Sequence, residues 1–484
     1  MLKKTSILFY LFTTFSLHSQ YCDVYVNHKN KKGVQHFICP ESMKADLEQL
    51  YETIIKTHPN PYLYCTKEQL DSAFISANNM VVTPKSIFDY SLVISNFLHN
   101  IRDSHTFFNP RDLLVLSGNN YRIAPFYLKK IDANFYLSKI YKNTLPVGVE
   151  VLEVGKLTVD SLYRLASALC PKESYTESAL SEITSRMMGI VFNVRNLKDK
   201  IQMKYVNING DTLITQLHRI KSNKLLNDEE WQPPKTISYE FLDDVAYLRI
   251  FSFEAANEKR FKKTIDHFFR KVDNSFVSSV VIDIRENRGG FILLLEHLLS
   301  YINTSEKTFD LTYSYKRSDL DRFETLSKLK KMDFIKKAKR VYPRGMISKE
   351  YDFFNSPKGT VSHILYEKQL SNRRDYVYDG KCSLYINGLS MSASVLLAAW
   401  FKETNRGKII GTPCFGSSQG THGNPATIFL KYSGLPISIS TLKLTPKNTQ
   451  IENLGDIQMD KIISFTKKDL RLGKDPFEKE FSMD

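Results

Sequence analysis

The sequence predicts an α/β fold, with the core preceded by a helical head and a strand-rich middle module. Three observations predict it. From Ile237 onward, short apolar runs of strand character alternate with helical ones, the pattern of a sheet with helices packed on it. Between Ser42 and about Phe108, apolar residues recur at three- and four-residue spacing, as at Leu47, Leu50, Tyr51 and Ile54. Between Tyr121 and about Pro234, β-branched and aromatic runs such as Phe135-Tyr136-Leu137 and Val149-Glu150-Val151-Leu152 alternate with turn signals. A chain of 484 residues exceeds one compact core, and its length implies about two to four domains.

Taken in order, the first element is a leader. Lys3 and Lys4 precede Ile7-Leu8-Phe9-Tyr10-Leu11-Phe12, and the apolar character ends at Leu17, too soon to span a bilayer comfortably. This reads as a signal peptide over residues 1–20, with cleavage near Ser19 or Gln20. It implies export to the periplasm or the extracellular space, with no stable membrane insertion after cleavage; the alternative is an uncleaved anchor. Export permits disulfides among the six cysteines, but their spacing assigns no pairing. No CxxC or clustered Cys/His spacing occurs, so neither a metal nor a cofactor is expected.

The helical head occupies 41–118, is punctuated by His58-Pro59-Asn60-Pro61, and gives way to Arg102-Asp103-Ser104-His105-Thr106. The strand-rich module follows over 119–235, where Gly148-Val149-Glu150-Val151-Leu152 suggests a PDZ-like peptide clamp. The α/β core spans 236–470, with a basic insertion at about 305–379. Its cluster Lys328-Leu329-Lys330-Lys331 and Lys336-Lys337-Ala338-Lys339-Arg340 reads as a solvated helical face. The net charge of +15 is spread along the chain, so no nucleic-acid partner is expected.

Two strand-to-helix turns carry the chemistry. In the first, Val280-Val281-Ile282-Asp283-Ile284 reads as a buried strand, Arg285-Glu286-Asn287-Arg288-Gly289-Gly290 as the turn, and Phe291 to Leu299 as a helix. Paired glycines let the backbone approach a ligand and aim its amides at it; a plain connection is the other reading. In the second, Cys382 to Ile386 is a strand and Val395 to Phe401 a helix, with Asn387-Gly388-Leu389-Ser390-Met391-Ser392-Ala393-Ser394 between them. Ser392 then sits at a helix N-terminus, where unpaired amides and the dipole favour an oxyanion. In isolation it reads as an ordinary N-cap.

Together, Asp283 to Gly290, Ser390-Met391-Ser392-Ala393-Ser394, Gly407-Lys408-Ile409-Ile410-Gly411, and Glu452-Asn453-Leu454-Gly455 with Asp460 resemble the S41 serine peptidases. That family contains the carboxyl-terminal processing peptidases and the tricorn-like enzymes. The resemblance implies a crotonase-like core, a peptide or protein substrate, and Ser392 as nucleophile. Processing peptidases pair that serine with a lysine in Phe-Gly-Lys, but this chain reads Phe415-Gly416-Ser417. A Ser/Lys dyad is then absent unless another lysine, such as Lys408, reaches the site. Val395 also departs from the glutamate usual in processing peptidases. The tricorn-like branch takes a histidine from an upstream domain, and Asp103-Ser104-His105-Thr106 resembles that element. The resemblance therefore implies His105 as general base, Ser104 and Glu452 as its orienting groups, and backbone amides at Gly289 or Gly290 and at Ala393 as the oxyanion hole. The alternative is a catalytically inactive protein binding a peptide or apolar ligand on the same scaffold.

Overall fold

A computed structural model describes residues 37–116, 122–195, 198–222, 224, 234–254, 258–304, 309–320, 351–353, 355–368, 377–447 and 455–481. The predicted leader over 1–20, the lysine cluster and Glu452 lie outside them. Among the described residues, no helix is long and apolar enough to cross a membrane. Cys39 is disulfide-bonded, whereas Cys65, Cys170, Cys382 and Cys414 are free.

The head consists of helices Pro40–Thr57, Lys67–Met80 and Ile87–Leu98. Each start has a local cause: Pro40 opens the first, a Thr66/Gln69 capping box the second, and the Ser86 hydroxyl accepts the Asp89 amide at the third. Of the predicted stripe, Leu47, Leu50 and Ile54 are fully buried and Tyr51 is partly buried against the same core. The middle module is an antiparallel sheet with strands in the order Thr212–His218, Lys200–Val206, Glu150–Val154, Asn134–Ile140, Phe126–Ile131. Helices Val159–Leu169 and Glu177–Arg195 accompany it. One hydrophobic core runs from the head helices through this sheet and on to Ile428, Ile437 and Ile439 of the carboxyl-terminal half.

The core sheet orders its strands Ile237–Leu242, Val245–Ile250, Ser279–Asp283, Lys381–Ile386, Lys408–Gly411, Lys461–Ile462, antiparallel in the first pair and parallel thereafter. Its central strands are apolar on both faces, as parallel strands must be. Val280, Ile282 and Leu384 pack with residues of helices Glu258–Asp273, Ile292–Ile302 and Ala393–Thr404, while Val281 and Tyr385 join Phe477 on the other face.

Two strands lie within the bounds given to the insertion. Phe309–Lys316 and Val361–Lys368 are paired strands of a second sheet, which continues through Leu442–Pro446 to Thr421–Gly423. Alternation explains this: Leu311, Tyr313 and Tyr315 enter the main core together with Leu442 and Leu444. A third, small sheet pairs Phe107–Phe108 of the head with Pro436–Ile439, through Phe108↔Ile437 and Phe107↔Ser438. That pairing fastens the turn holding His105 to the carboxyl-terminal half.

Candidate active site

The two strand-to-helix turns are laced together. The Met391 amide donates to the Asn287 carbonyl at 2.9 Å, the Ser390 hydroxyl to the Ile284 carbonyl at 2.9 Å, and the Ser394 hydroxyl to the Asn287 carbonyl at 2.9 Å. Asn387 Oδ1 accepts from the Glu286 and Leu389 amides. Ser390 and Ser394 are fully buried and spent on this lacing. Ser392 differs. It precedes helix Ala393–Thr404 with φ 56° and ψ −117°, and its side chain caps no backbone amide. A non-glycine residue held there costs about 1–3 kcal/mol, and such strain concentrates at functional sites. Among the described residues, the Ser392 hydroxyl makes no hydrogen bond, so the ordinary N-cap reading does not apply to it.

Gly289 and Gly290 touch this elbow and its neighbour. A Cβ on Gly289 (φ +91°) would lie 2.6 Å from Ser392 Cβ and 2.8 Å from the Ala393 nitrogen, and one on Gly290 (φ +140°) 2.2 Å from the Phe253 carbonyl oxygen. The Gly289 amide already donates to Asn287 Oδ1 at 2.8 Å. The Gly290 amide is not used in the bridge to Phe253, and Ala393, first in its helix, has an amide without an intrahelical partner. Of the three amides singled out by sequence, Gly290 and Ala393 therefore keep their donors unused among the described residues. Replacing Gly289 with Ala is expected to displace the elbow and lower kcat on a peptide substrate by about 10²-fold, while circular dichroism stays unchanged.

His105 occupies a second cluster. Its amide donates to Asp103 Oδ1 at 2.8 Å, and its Nδ1 lies 3.7 Å from the same oxygen and 3.4 Å from the Ser104 hydroxyl. That hydroxyl donates to Glu173 Oε2 at 2.5 Å, as does the Ser104 amide at 2.9 Å. Asp103 also accepts from His58 Nε2 at 3.0 Å, from Thr106 Oγ1 at 2.6 Å, and from the Ser440 hydroxyl, and His422 Nδ1 stands 3.5 Å away. Burial alone would raise the Asp103 carboxyl; His422, His105 and His58 more than offset this and hold it well below the carboxylate range. Burial works against the His105 imidazolium, but the Asp103 carboxylate outweighs it, with Glu173 behind, and raises His105 above its ordinary value. Burial, then repulsion by Asp103, pushes Glu173 up to about 7. Burial drives His422 well below the histidine range and brings Lys443 down to about 8.

The two clusters are neighbours. The segment after Glu173 packs against the elbow, where Ala179 and Ile183 join Leu389 and Phe415, with Met391 against them. The Phe415 amide donates to the Ser390 carbonyl. Two residues on, Ser417 is fully buried, and the Tyr64 hydroxyl beside it faces Glu173 and Asp103. No hydrogen bond joins the Ser392 hydroxyl directly to the His105 ring among the described residues.

Sequence reasoning missed Glu173, His58, His422 and Lys443. Glu173 lies on an irregular connection between helices and carries no spacing signal, and His58 read as turn punctuation. His58, Asp103 and His422 each offer an atom within 4.8 Å of the others, as do Asp103, His105 and Glu173. Such spacing suits a divalent cation, yet the Asp103 oxygens are already taken by hydrogen bonds and Lys443 brings a positive charge into the same pocket. The donor set suits protons better than a metal.

Residues 244–461 match the sequence model of peptidase family S41. The match covers the α/β core, and the chain is a serine-type peptidase. No curated protein matches it. Among solved structures it is similar to a CPAF mutant (16% identity, TM-score 0.64, covering 91% of this chain and 96% of that one). It is also similar to mature CPAF (15%, 0.61, 91% and 95%) and to mature CPAF complexed with lactacystin (15%, 0.63, 91% and 97%). At these identities the likeness concerns the fold, which is shared over nine tenths of this chain.

Proposed function

We propose that this chain is an exported peptidase that cleaves peptide bonds through an acyl-enzyme, with Ser392 as nucleophile and His105 as general base. The observation that carries the reading is the Ser390/Ser392/Ser394 contrast. Of three serines on one turn, only the strained one keeps a hydroxyl free of hydrogen bonds. Substrate closing over the site would bring that hydroxyl and the imidazole within reach, since catalytic hydrogen bonds are often long before substrate binds. His105 would take the serine proton and return it to the leaving amine, with Asp103 and the Ser104–Glu173 pair stabilising the imidazolium. The Gly290 and Ala393 amides would meet the oxyanion, and water would then release the acyl group. Glu452 is proposed as a further carboxylate near the base, and the middle module as a PDZ-like clamp for the substrate. The leader segment 1–20 supports export.

Incubation with a fluorophosphonate probe, followed by peptide mapping, is expected to find the adduct on Ser392, and formation should slow by orders of magnitude in His105→Ala. Peptide cleavage that persists undiminished while Ser392 stays unmodified would overturn the assignment.

A further inference from the structure

A buried lysine that the mechanism above leaves unused stands beside its base. Lys443 is 5% exposed, and its Nζ has no hydrogen-bond partner. It lies on strand Leu442–Pro446, directly across from His422 on one side and Ser314 on the other. Directly opposed residues of an antiparallel pair share a face, so His422, Lys443 and Ser314 form a polar row. Ser314 extends it through a 2.7 Å hydrogen bond to His363, its neighbour across the next strand pair. Flanking residues Leu442 and Leu444 turn the other way, into the main core. Four further buried atoms near this row also make no direct hydrogen bond: Glu173 Oε1, both ring nitrogens of His422, whose Nδ1 stands 3.5 Å from Asp103, and the Tyr64 hydroxyl. Orphaned polar atoms are rare in folded proteins, and five gathered around one base indicate a shared proton network rather than inert packing.

We infer that Lys443 is a positioning residue for the reaction: its buried ammonium, facing Glu173 and Asp103 across the pocket, sets the charge carried by the Glu173–Ser104–His105 relay. This rests on His105 being the general base. Among the described residues, the charged or titratable groups facing Lys443 are Glu173, Asp103, His105 and His422, with Tyr64 and His363 at the edges of the cluster. Glu173 comes from the loop after helix Val159–Leu169, Asp103 and His105 from the turn after helix Ile87–Leu98, and His422 from the partner strand, with His58 behind it. The signs are opposed. The Lys443 charge lowers His105 and Glu173, whereas the Glu173 carboxylate raises His105. The lysine thus limits how far the two acids can raise the imidazole, and so extends the pH range in which the base is neutral.

The test is the pH dependence of kcat/KM, whose acid limb reports the free enzyme's base. Lys443→Met is expected to move that limb to higher pH by about one unit, the effect of one neighbouring charge. Glu173→Gln should move it to lower pH, the double variant should fall between, and Lys443→Arg should restore the wild-type position. An unchanged limb in Lys443→Met, whatever its amplitude, would overturn the inference and leave the lysine a structural role. Should that variant fail to fold, the Lys443→Arg and Glu173→Gln profiles decide: a Glu173→Gln limb that stays in place overturns it equally. His105→Ala separates the two levels. If it keeps wild-type activity, the general-base assignment fails; if it is inactive while the Lys443 series does not shift, only the present inference fails.

Discussion

Replacing Ser392 with Ala is expected to lower kcat by about 10⁶-fold, leaving the residual rate that an oxyanion hole and substrate binding supply alone. Thermal stability should barely change. The Ser392 hydroxyl satisfies no backbone group, and alanine inherits the same φ of 56°, so the substitution falls within about 0.5 kcal/mol of neutral. Ser390→Ala and Ser394→Ala should behave in the opposite sense. Each removes the hydroxyl donor from a buried carbonyl, Ile284 or Asn287, which keeps only the amide donor of Asn287 or Met391, a loss of about 0.5–1.5 kcal/mol. Each should lower the melting temperature before it alters chemistry. Kinetics and denaturation on the three single variants therefore separate the proposed nucleophile from its scaffold. A Ser392→Ala protein that cleaves at the wild-type rate would remove the basis for the acyl-enzyme mechanism.

What was legible in the sequence was whatever local patterning encodes. The run Val280 to Ile284 is apolar without alternation and proved to be a central strand buried on both faces. The turn Asn387 to Ser394 proved to be the elbow because small residues there permit close approach, as Gly388 does against Ala179. What was not legible was assembled by tertiary contact. Glu173 reaches Ser104 from a position 69 residues away along the chain, and Ser440 reaches Asp103 across 337. Neither pairing leaves a periodicity in the sequence. Lys443 is buried on the face of its strand opposite Leu442 and Leu444, where only knowledge of its neighbours distinguishes a tolerated charge from a used one. The same limit applies to the boundary drawn near residue 118, since head and middle module share one hydrophobic core built from both.

Asp103→Asn should produce the largest loss of stability of any substitution in the site, about 3–5 kcal/mol, because it leaves buried cationic groups without their counter-charge. The Asp103 side chain is fully buried and accepts from His58, Thr106, Ser440 and the His105 amide. An amide of the same shape cannot accept at both ends and would present a donor to a group already donating. The damage should spread outward, since the Ser440 contacts with Asp103 and Thr106 adjoin the pairing of Phe107–Phe108 with Pro436–Ile439. The pH dependence carries its own sign. A carboxyl held well below its ordinary value stabilises the fold above the unfolded-state pKa, and that contribution fades as pH falls through the folded value. The wild-type protein should therefore lose stability in acid through Asp103, and the variant should lack that component. Removing the carboxylate also removes what raises His105, so the acid limb of kcat/KM should move to lower pH as kcat falls. Urea denaturation between pH 3 and pH 7, alongside the rate profile, checks both. A variant as stable as wild type at pH 7 would mean that Asp103 does not organise the cluster around His105.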